Sequence, residues 1–345
     1  MMKNYEVSLK ALGPLTQIPD SQKVFGSLMH ILCDKFPPNT ISDFAKSLMR
    51  APNQLSISSV FPSGFLPSPR AFLIDKVDST DKTAYQKIKN IQYMPVDNTV
   101  SLMSSCAEGL SVANFSDVNY VEVKPVQQVR VGIDANYRDS PGLLSNPFSL
   151  PQITVNLFRH ILNNAQETET VKEEVSDYTF FIQVDEKAII NKLFDGAPDN
   201  TINNATLTLG KRSSVGFNLF AVTNVVEIDC VQYNDSTVYM NTGMLLPDND
   251  SVWLKEDVVN PPPQWRKKYL SLELFTSERR PFSMGVHWKE AEIRGNYLSF
   301  LAPGSIISLQ KNSAPGKNIP VAIESRKERD IIFGNSYLYP LKELT

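Results

Sequence analysis

The sequence predicts an α+β fold, a pair of small domains with antiparallel sheets, on three observations. Short runs with period-two alternation interleave with short amphipathic stretches, no G-x-G-x-x-G follows any strand candidate, and 345 residues suffice for roughly two domains. The missing glycine signature argues against a parallel, dinucleotide-binding sheet.

Tyr5, Val7, Leu9 and Ala11 alternate with Glu6, Ser8 and Lys10, a half-buried strand over 4–12 that Gly13-Pro14 ends. Asp20 or Ser21 is placed to cap a helix in which Val24, Phe25, Leu28, Ile31 and Leu32 recur at three and four until Pro37-Pro38 stops it. A second helix is expected over 41–49, then a strand over SISSVF that runs into FPSGFLPSP at 61–69, a segment either extended and exposed or clamped. Residues 118–134 (VNYVEVKPVQQVRVGID) are β-branched and alternating, interrupted by Pro125, and turn-rich ANYRDSPGLLSNP follows, which predicts a long hairpin arm.

The polar run QETETVKEE at 166–174 reads as a solvated loop or a fraying helix end. YTFFIQV at 178–184 reads as a buried strand, and EKAIINKLF at 186–194 as a short amphipathic helix ended by Asp195-Gly196. GFNLFAVTNVVEI at 216–228 is a strand leading into the second half. That half contains VQYNDSTVYMNTG, the turn LLPDND, the linker NPPPQW at 260–265, and strands near 269–275, 284–293 and 305–310.

Composition narrows the function classes. Cys33, Cys106 and Cys230 lie far apart with no CxxC pair, so local spacing assembles neither a zinc knuckle nor a disulfide scaffold, and a reducing cytoplasm is the expected setting. MMKNYEVSLKALGPL carries no leader pattern and no window approaches 18 apolar residues, so neither secretion nor a membrane partner is expected. A balance of 34 Lys plus Arg against 37 Asp plus Glu gives a net charge of −3, unlike a protein that scans nucleic acid by bulk charge but compatible with a local basic groove.

The segment LGKRSSVGFN at 209–218 is the most informative run. Gly210 and Gly216 permit close backbone approach, N–H groups and the Ser213 and Ser214 hydroxyls can donate to phosphate oxygens, and Lys211 and Arg212 supply charge. The alternative is a simple turn before a strand. It is not a Walker loop, because the basic pair precedes the second glycine. The arm offers Lys124, Gln128, Arg130, Tyr137 and Arg138, a basic and aromatic mix that could track phosphates and stack on a base, or an ordinary exposed strand.

No catalytic set, metal site or cofactor is expected. His30, His160 and His287 have no HD, HExxH or G-x-S-x-G context and read as core or surface residues. Asp20, Asp34, Asp134 and Asp139 are scattered, with no paired arrangement for a two-metal site.

Six segments in order then carry a resemblance: SQKVFGSLMHIL at 21–32, FPSGFLPSP at 61–69, VRVGIDANYRD at 129–139, GKRSSVGF at 210–217, LLPD at 245–248 and APGSII at 302–307. Together, over nearly the whole chain, they resemble the fourth Csm subunit, the RAMP protein that caps the 5′ end of the guide RNA in type III-A CRISPR effector complexes. The resemblance implies two tandem ferredoxin-like (RRM-like) domains, 1–222 and 223–345, with the Gly-rich loop 209–218 ending the first and a thumb hairpin at about 120–148. It implies that this loop, including Phe217, together with Asp20, Ser21 and Lys23, holds the repeat-derived 5′ handle of the CRISPR RNA, and that the thumb separates handle from guide. It further implies a non-catalytic bridge between the large polymerase-type signature subunit and the first backbone RAMP subunit, touching target RNA only indirectly.

Two departures stand out. Asn218 occupies a position where the family usually carries glycine, and residues 149–177 are longer and more polar than the family pattern, like an insertion in or beside the thumb. Competing readings are the equivalent capping subunit of a type III-B complex, a guide-processing endoribonuclease using His30 as general acid or base, and a protein-interaction module docking through FPSGFLPSP and NPPPQW.

Overall fold

The computed structural model describes residues 1–78, 80–99, 110, 112–115, 118–132, 146–162, 168–196, 201–228, 238–247, 271–279, 296–308, 316–320 and 331–341. β1 (Met2–Ala11) alternates as its sequence predicts, burying Tyr5, Val7 and Leu9 and exposing Lys10. Asp20 caps α1 (Ser21–Lys35), its Oδ1 accepting from the Lys23 N–H at 3.0 Å. α2 (Pro38–Arg50) starts on a proline, which lacks the N–H that the first helical position would leave unpaired. α1 buries Val24, Phe25, Leu28 and Leu32, and α2 buries Ile41, Phe44, Ala45 and Leu48.

SISSVF is two short strands, β2 (Leu55–Ile57) and β3 (Phe61–Pro62), because Ser58 and Ser59 turn their polar groups inward. The Ser58 hydroxyl accepts from the Phe181 N–H at 2.7 Å and the Ser59 N–H donates to the Thr242 carbonyl at 3.0 Å. FPSGFLPSP is clamped: β3 and β4 (Phe65–Pro67) flank an exposed turn at Ser63 and Gly64, and Leu66, Pro67, Ser68 and Pro69 are buried. That burial leaves this segment unsuited to dock partners as an exposed proline-rich strip.

α3 (Arg70–Lys76), α4 (Lys82–Asn90) and β5 (Tyr93–Pro95) follow. The predicted arm is a hairpin of β6 (Tyr120–Gly132) and β7 (Asn146–Leu162), paired in register from Tyr120 opposite Phe158 to Gly132 opposite Asn146. The described part of the run at 166–174 is neither loop nor helix but β8 (Thr168–Glu174), a strand whose charged side chains suit a sheet edge and whose partner is β7. Residues 149–177 are therefore mostly the return strand of the hairpin and its neighbour, in a five-stranded sheet ordered β4-β5-β6-β7-β8.

β9 (Asp177–Asp185) buries Tyr178, Phe180, Ile182 and Val184. The expected helix at 186–194 is a single 3₁₀ segment, Ile189–Leu193, followed by β10 (Thr206–Thr208) and β11 (Leu219–Ile228). β11-β1-β9-β2 lie in that order, all antiparallel neighbours, with β10 outside β11 and β3 also on β9. This is the split βαβ order of a ferredoxin-like sheet, with α1 crossing from β1 to β2 and the 3₁₀ segment in place of the second helix. The division expected at 222/223 falls inside β11, whose pairing with β1 runs from Phe220 to Ile228.

The second half adds β12 (Val238–Asn241), β13 (Leu274–Arg279), β14 (Asn296–Leu301), β15 (Ile306–Ser308), β16 (Ile319–Pro320), β17 (Ile331–Ile332) and β18 (Leu338–Pro340). β15-β12-β18 form one antiparallel sheet, and β13 with β14 and β16 with β17 form ribbons. Ile331 and Phe333 enter the same core as α1 and β1, and the Ile57 N–H donates to the Asn335 carbonyl at 3.3 Å, extending the first sheet past β2. Among the described residues no helix is long and apolar enough to cross a membrane. NPPPQW, the strand expected at 284–293, His287, Tyr137 and Arg138 lie outside the described residues.

Candidate nucleic-acid interface

The Gly-rich loop joins β10 to β11 through one 3₁₀ turn, Ser213–Val215, bracketed by two left-handed residues, Arg212 (φ 68°) and Gly216 (φ 87°). The Arg212 carbonyl accepts from the N–H groups of Val215 and Phe217, each at 3.2 Å, which holds the turn closed. A non-glycine residue at positive φ is strained, and such strain concentrates where a loop must present its groups in one geometry. Lys211, Arg212, Ser214 and Val215 are exposed, Gly210, Ser213 and Gly216 half-buried, and Phe217 and Asn218 buried.

Asn218 also lies at positive φ, 54°, and its side chain is fully buried. Its Oδ1 accepts from the Thr16 N–H at 2.9 Å, while its Nδ2 donates to the Lys211 carbonyl at 2.7 Å and the Thr16 hydroxyl at 2.9 Å. Its own N–H donates to the Pro14 carbonyl at 3.0 Å. The loop after β1 is thereby pinned against the Gly-rich loop. Gly13 fits the same seam, since a Cβ there would lie 2.2 Å from the Gly216 carbonyl oxygen.

Gly210 makes room for the Asn218 amide: a Cβ there would meet Nδ2 at 2.8 Å and Cγ at 2.9 Å, although the Gly210 backbone is not left-handed. Gly210→Ala is therefore expected to destabilise the protein by about 1–3 kcal/mol through overpacking. In an Asn218→Gly background the penalty should shrink by about 1 kcal/mol or more. Urea unfolding of the four proteins checks this, and additive effects would refute the contact.

The hairpin is held to the same place. Its root is buried in the first core through Val121, Val155 and Leu157, and the Ile153 N–H donates to the Leu15 carbonyl at 2.8 Å. An N–H aimed away from β6 makes Ile153 and its opposite residue, Pro125, a non-hydrogen-bonded pair, so the missing proline N–H costs the ladder nothing. On either side of this pair Lys124 and Gln128 lie exposed on one face of the ribbon, opposite Thr154 and Leu150, and Arg130 takes a further even register position opposite Phe148. Lys124 Nζ pairs with Glu122 at 2.8 Å, and Gln128 accepts from Gln152 at 2.7 Å.

Residues 13–16 thus join the two elements that the sequence singled out separately. In the sequence Gly13-Pro14 marks only the end of a strand, and neither Thr16 nor Leu15 carries a signal of its own. The third predicted group is differently employed. Asp20 caps α1 and pairs with Lys23 Nζ at 2.8 Å, and Ser21 is buried with its hydroxyl accepting from the Met244 N–H at 3.1 Å. Lys23 could reach RNA only with the donors that its pairing with Asp20 leaves over.

His30 is exposed on α1, and His160 sits on β7 with Nδ1 at 3.2 Å from the Thr170 hydroxyl. Among the described residues no group of three His, Cys, Asp or Glu is placed to hold a metal.

The architecture is a ferredoxin-like core with an inserted hairpin and a glycine-bearing loop before its last strand. The particular version is shared with a chain of the Csm3-Csm4 subcomplex in the type III-A CRISPR-Cas interference complex, at a TM-score of 0.51 and 12% identity over 99% of both chains. A chain of the Csm1-Csm4 cassette in complex with AMPPNP aligns at 0.49 and 16% identity over 99% of this chain and 98% of that one. A chain of the type III-B Cmr-beta complex bound to cognate target RNA aligns at 0.41 and 13% identity over 88% and 86%. No protein-family model matches the chain, and no curated protein matches it in sequence.

Proposed function

We propose that the chain is a non-catalytic CRISPR RNA-binding subunit that acts in the cytoplasm. It caps the 5′ handle of the guide RNA in a type III-A effector complex and bridges the large polymerase-type subunit to the first backbone RAMP subunit. The observation that carries this reading is the seam at residues 13–16. It fastens a strained loop presenting Lys211, Arg212 and Ser214 to a rooted hairpin presenting Lys124 and Gln128. Two phosphate-facing elements held in fixed relation suit a single RNA strand that passes from one to the other. The shared fold with a chain of a Csm3-Csm4 subcomplex supports the assignment of neighbours.

Phosphate contacts release counterions, so the salt dependence of binding counts them. Replacing both Lys211 and Arg212 with alanine is expected to weaken binding of a handle-bearing guide RNA roughly tenfold. It should also make the log–log salt slope shallower by about 1.4, at about 0.7 per phosphate contact on a single strand. Filter binding across a salt series reads both. Unchanged affinity and slope would remove the loop from the RNA path.

A further inference from the structure

We infer that Asn218 is a positioning residue that couples the Gly-rich loop to the hairpin, so that the geometry of one sets that of the other. The inference deepens the RNA-binding reading and rests on it for its functional meaning, while its structural half is independent of RNA.

The coupling path is short and fully specified. Asn218 Nδ2 holds the Lys211 carbonyl, which fixes the peptide that launches Lys211 and the strained Arg212. Asn218 Oδ1 holds the Thr16 N–H, and the neighbouring Leu15 carbonyl holds the Ile153 N–H on the open edge of β7. One buried amide therefore grips the loop through Nδ2 and the seam to the hairpin through Oδ1, with a further bond from Nδ2 to the Thr16 hydroxyl. Its exclusion from water makes each bond expensive to leave unmade. A glycine at 218 would adopt the same left-handed backbone with less strain but would leave the Thr16 N–H and the Lys211 carbonyl without this partner. Asn218 thus exchanges backbone ease for a two-sided tie.

Asn218→Gly and Asn218→Asp separate the two grips, because the backbone angle is kept in both and aspartate retains only the acceptor. The readouts are hydrogen exchange at single amides of the full chain, without RNA, and binding of a handle-bearing guide RNA across a salt series. In Asn218→Gly the Thr16 and Ile153 amides should exchange at least tenfold faster, while Val7 and Phe180 in the central strands stay at the wild-type rate. In Asn218→Asp the Ile153 amide should stay near wild type. Both variants should bind RNA several-fold more weakly with an unchanged salt slope, since the phosphate contacts are misplaced rather than removed.

An Ile153 amide as slow in Asn218→Gly as in wild type would overturn the coupling. So would equal acceleration of the central strands, which marks a general loss of stability. Faster Ile153 exchange with unchanged RNA binding in both variants would keep the mechanical tie and overturn its positioning role. Failure of the RNA reading itself is recognised separately, by a Lys211/Arg212 double variant that binds as wild type.

Discussion

Phe333→Ala is expected to lower the unfolding free energy by about 3–5 kcal/mol, and to lower it for the first sheet as much as for the second half. Phe333 is fully buried and stacks on Phe25 of α1 with ring centroids 4.6 Å apart and planes 8° from parallel. It lies in the same apolar cluster as Tyr5, Val7, Leu28, Phe180 and Ile331. Truncation removes the ring's transfer free energy and leaves a void among β1, β9 and α1 that close-packed neighbours fill only in part. The residues around it reinforce the coupling: Asn335 Nδ2 donates to the Pro52 and Leu55 carbonyls at 2.8 and 2.7 Å, and Tyr337 donates its N–H to the Ile57 carbonyl at 3.2 Å.

Urea unfolding followed by two probes decides the matter. Hydrogen exchange at Asn241 and Leu301, whose amides donate to the Ser305 and Leu245 carbonyls, reports the second half, and exchange at Val7 and Phe180 reports the first. A shift of both probes is expected. A shift at Asn241 and Leu301 alone would mean that the first sheet is stable without Phe333, and the shared core would be refuted. Phe333→Leu, which keeps most of the volume, should cost less than half as much.

The legible part of this fold is the part whose pairing partners leave a local trace. β1 alternates because one face meets helices, β9 shows the continuous apolar run of a strand buried on both faces, α1 announces its start through Asp20, and the hairpin shows β-branched arms around a turn-rich tip. β8 was illegible for the opposite reason. Thr168–Glu174 is nearly all polar, its strand state is supplied by β7, and charge on an edge strand looks like charge on a loop until the neighbour is known. The serines at 56, 58, 59 and 336 are buried although serine is mostly exposed, and the Ser58 hydroxyl accepts from the Phe181 N–H across 123 residues of chain.

The candidate interface divides along the same line. Lys211, Arg212, Ser213 and Ser214 were legible as a loop with charge and donors, since the two glycines mark it. Ser21 was legible only as a helix start, and its role in holding Met244 across 223 residues of chain has no local sign. Asn218 was visible as a departure from glycine, but what its amide does depends on Thr16, which lies 202 residues away. Tolerance of a left-handed backbone is a property of the residue, whereas a two-sided hydrogen bond is a property of the fold.

Gly13→Ala carries the largest expected effect on RNA binding, because its neighbour cannot move aside. The added methyl would sit 2.2 Å from the Gly216 carbonyl oxygen, and that oxygen belongs to a left-handed backbone already held by the bond from the Gly216 N–H to the Ser213 carbonyl at 2.9 Å. A real contact needs at least another ångström, so the loop carrying Lys211 and Arg212 and the segment carrying Leu15 must part. Affinity for a handle-bearing guide RNA should fall on the order of tenfold to a hundredfold, against a stability loss of about 1–3 kcal/mol.

Because the charges remain, the salt slope should stay close to wild type, which separates this variant from Lys211/Arg212 replacement. Gly26→Ala supplies the control: it lies within α1 with open space around its Cβ, so alanine there should leave RNA binding intact and stabilise the helix by up to about 1 kcal/mol. If Gly13→Ala binds RNA as Gly26→Ala does, then the seam between the two loops is not what orients Lys211 and Arg212.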